Sequence, residues 1–143
     1  MQTTLEKELK NAGQSHTKPR QVVFETLLSS GPLSMHEVIR LCLASGINRA
    51  SVYRTIQLFE DLGLVRRVTL GWKYKLELSD VFSQHHHHIS CRVCGITNEI
   101  SASPQLEKIL DALLNKTGFS NIKHEVEASG ICLECMKKQG ALV

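Results

Sequence analysis

The chain has 143 residues, of which 42% are hydrophobic and 22% charged, as is ordinary for one medium or two small globular domains. No apolar run approaches the roughly 18 residues that a membrane-spanning helix needs, and the first residues lack a signal-peptide pattern, so we expect a cytoplasmic protein. The net charge of +3 falls entirely on residues 1–80, which makes that half the better candidate for contact with a polyanion.

Two helices are predicted in the first part of the chain. Pro19 suits the first turn of a helix, where a missing N–H costs nothing. Apolar side chains then recur at helical spacing: Val23, Phe24, Leu27 and Leu28. A second helix begins with a capping box, in which Ser34 is the N-cap and Glu37 the third helical residue. Cys42 falls on the apolar face of this helix and is interpreted as a core residue.

A third helix is predicted from Arg49 to Leu62, with Asn48 as its N-cap. Its core face carries residues spaced by four and three positions: Val52, Ile56 and Phe59. The opposite face carries Ala50, Tyr53, Arg54 and Gln57. Two β-like segments follow, Val65–Leu70 and Lys73–Leu78, joined near Gly71 and Trp72. Three helices followed by a β-hairpin is the element order of a winged helix.

The second half begins after a connector and has a different pattern. Short strands are predicted at Ile89–Cys91 and Thr97–Ile100, and residues 122–128 alternate like a further strand. Between them, residues 104–117 form a predicted amphipathic helix. Its apolar face is expected to point inward: Leu106, Ile109, Leu110, Leu113 and Leu114. We therefore divide the chain into a winged helix at 1–79, a connector at 80–84 and a metal-binding α/β domain at 85–143.

Four cysteines form two Cys-x-x-Cys pairs: Cys91 with Cys94, and Cys132 with Cys135. Two such turns can supply the four tetrahedral thiolates of a structural Zn²⁺ site. A domain of this size has a small core, so a metal clip between its start and its end would contribute much of its stability. A redox dithiol and unligated thiols are the alternatives to zinc.

The run His85–His88 lies just before the first cysteine pair. If the run is extended, His86 and His88 share one side and His85 and His87 the other. Imidazoles combined with carboxylates suit Fe²⁺, Mn²⁺, Ni²⁺ or Zn²⁺. The run predicts two metal sites that draw on one tetrapeptide, and a solvated linker is the alternative.

These motifs together resemble the ferric uptake regulator family. The matching segments are NRASVYRTIQLFEDLGLV at 48–65, HHHHISCRVCG from 85, Glu99, and GICLEC at 130–135, and the resemblance covers roughly residues 16–137. That family contains iron, zinc, manganese, nickel and peroxide sensors. Its members are homodimers whose metal-loaded form binds double-stranded operator DNA and usually represses transcription. The implied fold is α+β, a winged helix followed by a small α/β dimerisation domain.

The resemblance also implies roles for individual residues. Tyr53 and Arg54 match the base-contacting pair of the recognition helix, although Tyr53 could instead pack partly under the wing. The full set implied for DNA binding is Lys18, Arg20, Arg49, Ser51, Tyr53 and Arg54. The four cysteines match the structural zinc site. The regulatory metal site maps to Glu77, His86, His88 and Glu99, and a further metal site maps to His85, His87, Glu107 and His124.

The sequence departs from the family pattern at one ligand. Many members carry a sensory histidine just before the third winged-helix helix, and the aligned position here is Pro32. His36, four residues on, is either a substitute or a first-turn surface residue. His124 likewise has an alternative interpretation, a core histidine bonded to the backbone.

We therefore predict a metal-dependent transcriptional repressor of metal-homeostasis genes. The regulatory shell contains nitrogen and oxygen ligands, which favours Fe²⁺ and leaves Zn²⁺, Mn²⁺ or a peroxide sensor as alternatives. A metal buffer or zinc chaperone is the alternative from another class, but it would not explain a helix with a Tyr-Arg face. No HExxH motif or nucleophile–base arrangement is present, so neither an enzyme nor a small-molecule substrate is expected.

Overall fold

The computed structural model describes residues 2–70 and 73–140 and separates into two compact units, Met1–Gln84 and His85–Val143. The predicted hairpin turn at Gly71 and Trp72 lies outside the described residues. Within the described part of the chain, no helix combines the length and the apolar character that crossing a membrane requires.

The N-terminal unit contains four helices: α1 (Gln2–Asn11), α2 (Lys18–Ser30), α3 (Met35–Ala44) and α4 (Arg49–Asp61). Two of their N-termini are capped by the side chains that the sequence predicted. Ser34 Oγ accepts from the Glu37 N–H at 3.2 Å while the Ser34 N–H donates to Glu37 Oε2 at 2.7 Å, which completes the capping box. Asn48 Oδ1 accepts from the Ser51 N–H at 2.9 Å.

An antiparallel hairpin completes the unit, with β1 (Val65–Leu70) and β2 (Lys73–Leu78) bounded as predicted. A bridge between Leu33 and Leu76 attaches the segment before α3 to the hairpin. Helices and hairpin enclose one apolar core, and its largest fully buried side chains include Phe24, Phe59, Ile56, Leu64 and Leu76. This arrangement confirms the winged helix.

The sequence-based prediction of this unit needs two corrections. Helix α1 was not predicted, yet Leu5 and Leu9 on it are fully buried in the core, one helical turn apart. Leu28, placed on the core face of α2 by its spacing, is 40% exposed, whereas Val23, Phe24 and Leu27 are buried. Phe82, in the predicted connector, packs edge-on against Phe24 with ring centroids 4.9 Å apart.

The C-terminal unit is a three-stranded sheet with two helices: β3 (His86–Cys91), β4 (Thr97–Ser101), α5 (Pro104–Asn115), β5 (Glu127–Gly130) and α6 (Leu133–Lys138). The strand order is β4-β3-β5, so the histidine run forms the central strand. Strand β3 pairs antiparallel with β4 and parallel with β5. Helix α6 was not predicted.

Two predictions for this unit need correction. The apolar face of α5 is only partly covered within the chain, since Leu106, Leu110 and Leu114 are half-buried whereas Ile109 is 59% and Leu113 57% exposed. The predicted strand at 122–128 is shorter, because regular pairing with β3 begins only at Glu127, opposite His88. Residues 122–126 keep the predicted alternation of partly buried and exposed side chains without forming a regular strand.

Candidate metal centres and nucleic-acid interface

The four cysteines of the two Cys-x-x-Cys pairs converge in the C-terminal unit. Cys91 ends β3, and the parallel pairing of Cys91 with Gly130 delivers the second cysteine pair beside the first. The four sulfurs all lie within 4.8 Å of one another, and Cys94 Sγ is 3.7 Å from Cys132 Sγ. In the first turn, Gly95 adopts a positive φ of 75°, a backbone conformation that glycine accepts readily.

The chemistry of these thiols suits a cation. Backbone N–H groups, Cys132 first and Cys94 second, lower the pKa of Cys91 to about 6. The contact from Cys132 N to Cys91 Sγ is 3.3 Å. Hydrogen bonding to Cys132 and burial raise the pKa of Cys135 to about 12. Four crowded sulfurs therefore cannot all ionise unless a cation balances them, and four thiolates are the usual donor set of structural Zn²⁺.

A second cluster in the same unit joins four side chains from three segments: His85, His87, Glu107 and His124, whose ligand atoms lie within 4.8 Å of one another. Glu107 is at its centre, with Oε1 2.9 Å from His87 Nε2 and Oε2 2.8 Å from His124 Nε2. The His85 and His124 Nε2 atoms are 3.2 Å apart. Hydrogen bonds from His87 and then His124 lower the pKa of the Glu107 carboxyl. Three imidazoles and a carboxylate fit a divalent transition metal.

The other side of β3 carries His86 and His88, whose ring centroids are 4.9 Å apart. The predicted alternation is thus confirmed, since His85 and His87 make an equivalent pair at 4.9 Å. Glu99 lies directly across the ladder from His88, and its Oε1 is 3.9 Å from His86 Nε2. Two imidazoles beside a carboxylate again suit a metal with nitrogen and oxygen ligands. The remaining residue of the predicted set, Glu77, belongs to the N-terminal unit, where it is buried on β2.

Glu77 also has a partner that sequence analysis missed. Arg66 stands opposite it in the hairpin register and approaches its Oε1 at 2.7 Å through both Nε and Nη2. The signal was present in the sequence, because two six-residue strands joined by two residues place Arg66 opposite Glu77.

The predicted DNA-binding residues lie around the start of α2 and along α4. Tyr53 and Arg54 are exposed on α4, opposite the core face, and Arg54 Nη2 donates to Ser51 Oγ at 3.4 Å. A cleft of about 220 Å³ between the two helix starts is lined by Thr17, Pro19, Arg20, Ser51, Arg54 and Thr55.

The remaining predicted residues of this surface are accessible or anchored nearby. Lys18 and Arg49 are exposed at the starts of α2 and α4, and Arg20 donates to Gln14 Oε1 at 3.0 Å and to the Ser15 carbonyl. The surface therefore presents four basic side chains on or beside two helix N-termini, as a polyanion would require. His36 is exposed in the first turn of α3.

A winged helix whose recognition helix is exposed, followed by a unit rich in metal ligands, defines a metal-responsive transcriptional regulator. Comparison with known families identifies the family of regulators. The sequence model of the ferric uptake regulator family matches residues 11–129, and the chain belongs to that family.

Individual relatives agree with this assignment. The ferric uptake regulation protein of Neisseria meningitidis is 32% identical over 139 residues, with 92% of each chain covered. The peroxide-responsive repressor of Staphylococcus aureus is 30% identical over 133 residues, which cover 91% of this chain and 88% of that one. An iron-uptake regulator and a peroxide-responsive repressor thus have similar sequence identity to this chain.

Solved structures give the same picture. The ferric uptake regulator of Helicobacter pylori, described as having three functional metal-binding sites, superposes with a TM-score of 0.75 at 25% identity, covering 94% of this chain and 93% of that one. A zinc uptake regulator complexed with zinc and DNA gives a TM-score of 0.64 at 25% identity over 94% and 92% of the two chains.

Proposed function

We propose that this regulator is an iron-responsive repressor that binds operator DNA as a homodimer when its regulatory site holds metal. The observation that carries the proposal is the histidine run at the start of the central strand β3, which places His86 and His88 on one side and His85 and His87 on the other. One strand thereby serves two nitrogen–oxygen ligand sets, while the cysteines form a third, all-sulfur set. The three functional metal sites described for the Helicobacter pylori protein support this number.

The cysteine set is assigned to structural Zn²⁺, which Cys91, Cys94, Cys132 and Cys135 would hold. Zinc there would clip the end of β3 to the start of α6, two elements far apart in sequence. The regulatory metal is assigned to Glu77, His86, His88 and Glu99. These ligands come from both units, so a metal shared among them would fix the spacing of the two recognition helices in a dimer. The third set, around Glu107, is assigned to a further metal.

Iron is preferred for the regulatory site because its ligands are nitrogen and oxygen atoms, without a thiolate. Zn²⁺ and Mn²⁺ accept the same donors, and the similarity to a peroxide-responsive repressor adds that signal to the alternatives. Because family members are transcription regulators, a role without catalysis is supported, and the chain would act in the cytoplasm, where the chromosome lies.

DNA contact is assigned to the surface built on the starts of α2 and α4. Tyr53 and Arg54 would read base edges, and Lys18, Arg20, Arg49 and Ser51 would contact the phosphate backbone. The zinc uptake regulator solved with zinc and DNA supports operator binding by this fold. The exposed apolar face of α5 supports a partner subunit, since Ile109 and Leu113 would otherwise remain in water.

Operator binding titrated with Fe²⁺, Zn²⁺ and Mn²⁺ under anaerobic conditions tests the proposal. We expect Fe²⁺ to tighten binding at least tenfold in the wild type, a coupling of about 1.4 kcal/mol. His86→Ala and His88→Ala should lose this response and keep the cysteine zinc. His87→Ala is the matched control, because its side chain faces the other way. Loss of the response in His87→Ala alone would refute the assignment of the two faces, and metal binding without any DNA binding would identify a metal buffer.

A further inference from the structure

The hairpin of the N-terminal unit contains an ion pair that the assigned roles do not use. Arg66 on β1 and Glu77 on β2 are directly opposed, and Nε and Nη2 of Arg66 both lie 2.7 Å from Glu77 Oε1. Arg66 Nη1 also lies 3.4 Å from Asp80 Oδ1. The exposed fractions of the side chains are 17% for Arg66 and 5% for Glu77.

A carboxylate as buried as Glu77 is costly unless a cation or hydrogen-bond donors compensate its charge. Arg66 supplies both, because its guanidinium combines a positive charge with several N–H donors. The pair therefore compensates the charge of the Glu77 carboxylate and fixes the orientation of that carboxylate before any metal arrives. A metal bound by Glu77 would find a permanent positive charge already on the same carboxylate.

We propose that Arg66 is a positioning residue of the regulatory site that weakens its affinity for metal and so sets the concentration at which the protein responds. This inference rests on the proposed role of Glu77 as a regulatory ligand. Two cations that share one carboxylate repel each other, and in the partly buried surroundings of Glu77 solvent screens that repulsion poorly. Asp80 approaches a different nitrogen of the guanidinium, Nη1, at 3.4 Å, and its side chain is 44% exposed.

Removal of the guanidinium charge should therefore tighten metal binding. In Arg66→Gln the amide can still donate a hydrogen bond to Glu77 but carries no charge. The metal then no longer shares the carboxylate with the charge of Arg66. We expect the regulatory site to bind Fe²⁺ about tenfold more tightly, which corresponds to about 1.4 kcal/mol. The metal-free variant should also melt at a lower temperature than the wild type, and saturating Fe²⁺ should reduce the difference.

The experiment is a double-mutant cycle on the full-length, zinc-loaded protein, with Fe²⁺ affinity measured anaerobically by competition with a chromophoric chelator. The variants are Arg66→Gln, Glu77→Gln and the double variant, with Arg66→Lys as the charge-conserving control. Arg66→Lys should stay within about twofold of the wild type because a cation remains in place. The double variant should bind Fe²⁺ like Glu77→Gln alone, since Arg66 acts through that carboxylate.

The outcomes separate the two proposals. Unchanged affinity in Glu77→Gln overturns the proposed ligand set and this inference with it. Weaker binding in Glu77→Gln, combined with weaker or unchanged binding in Arg66→Gln, overturns the inference alone. The inference is also overturned if Arg66→Gln tightens Fe²⁺ binding by the same factor in the wild type and in the Glu77→Gln background. Arg66 would then act without Glu77. Circular dichroism of each variant shows whether the winged helix is intact.

Discussion

The two units of this regulator differ in which side chains they bury. Among the described residues, every buried apolar side chain belongs to the N-terminal unit except Cys91 and Cys135. The buried side chains of the C-terminal unit are otherwise polar, namely His87, His88 and Ser90. Several of its larger apolar side chains, including Phe119, Ile109 and Leu113, are exposed in the single chain.

This difference in buried side chains indicates the source of stability of each unit. The winged helix buries enough apolar area to be stable through its own core. The C-terminal unit, of about 60 residues, buries few apolar side chains within the single chain. Small domains with small cores often gain stability from a structural metal or from oligomerisation. Metal content and subunit association should therefore control the second unit and leave the first largely unaffected.

The largest effect is expected at the cysteine cluster. Cys132→Ser should lose the structural zinc, because a hydroxyl is a poor zinc ligand, and the free energy at stake is on the order of 10 kcal/mol. Zinc per chain should fall from about one to near zero, and sedimentation should report monomers or unfolded C-terminal units. Cys42→Ala is the matched control, since Cys42 is buried in the winged-helix core and should not alter zinc content. A zinc-free protein that remains dimeric with unchanged thermal stability would contradict the conclusion that the C-terminal unit depends on metal.

The next effect concerns the core of the winged helix. Phe59→Ala should destabilise that unit by about 3–5 kcal/mol, because it leaves a cavity where a fully buried ring stood. Leu113→Ala on α5 is the counterpart, and it should barely change the stability of the monomer but weaken dimerisation. Denaturant unfolding and sedimentation equilibrium measure the two quantities. Equal destabilisation of dilute monomers by both substitutions would mean that α5 is packed within its own chain.

The same contrast explains what sequence reasoning could predict. The hairpin bounds, both capped helices and the core face of α4 were predicted because each depends on local chemistry or on burial within one chain. Helix α1 was missed because its two buried leucines, Leu5 and Leu9, are too few to define a periodic pattern. The apolar stripe of α5 was recognised, but periodicity shows only that a face is apolar and not which surface covers it.

Site prediction had a similar limit. Alternation along β3 correctly separated the histidines into two pairs. Spacing alone could not bring Glu107 and His124 to His87, since 20 and 37 residues respectively separate them in sequence. Family resemblance supplied that grouping, and the sheet order β4-β3-β5 with α5 gives it a physical basis. Arg66 was missed because the hairpin register was not used to pair the residues across it.

A smaller effect is expected on the DNA-binding surface, where substitutions should leave zinc content and fold unchanged. Arg54→Ala should weaken operator binding by about 1–3 kcal/mol and relax discrimination at one base, as loss of a bidentate arginine–guanine contact would. Lys18→Ala should weaken binding to all sequences and flatten the salt dependence, as loss of a phosphate contact would. Equal losses on operator and random DNA for Arg54→Ala would reassign Arg54 to the backbone.

The smallest effect compares one residue type at equivalent positions in the two units. Ser34 and Ser103 are the N-cap residues of α3 and α5, but only Ser34 makes the capping hydrogen bonds; the Ser103 hydroxyl donates to Gln105 Oε1 at 2.9 Å instead. Ser34→Ala should therefore cost about 1 kcal/mol and Ser103→Ala close to nothing, as measured by urea unfolding at pH 7. A cost at Ser103 equal to that at Ser34 would show that α5 is capped in solution.

The capping box also predicts how this difference depends on pH. Hydrogen bonds from the Ser34 backbone and side chain lower the pKa of Glu37 below its ordinary value. A carboxyl whose pKa is lower in the folded state contributes stability above its unfolded pKa, and that contribution is lost as the pH falls through the folded pKa. The cost of Ser34→Ala should therefore be full at pH 7 and shrink below about pH 4. The Ser34 hydroxyl stabilises only the ionised Glu37 carboxylate, and the N-cap backbone N–H is present in both proteins. Ser103→Ala should show no such trend, and a pH-independent cost at Ser34 would mean that its hydroxyl alone, without Glu37, stabilises the start of α3.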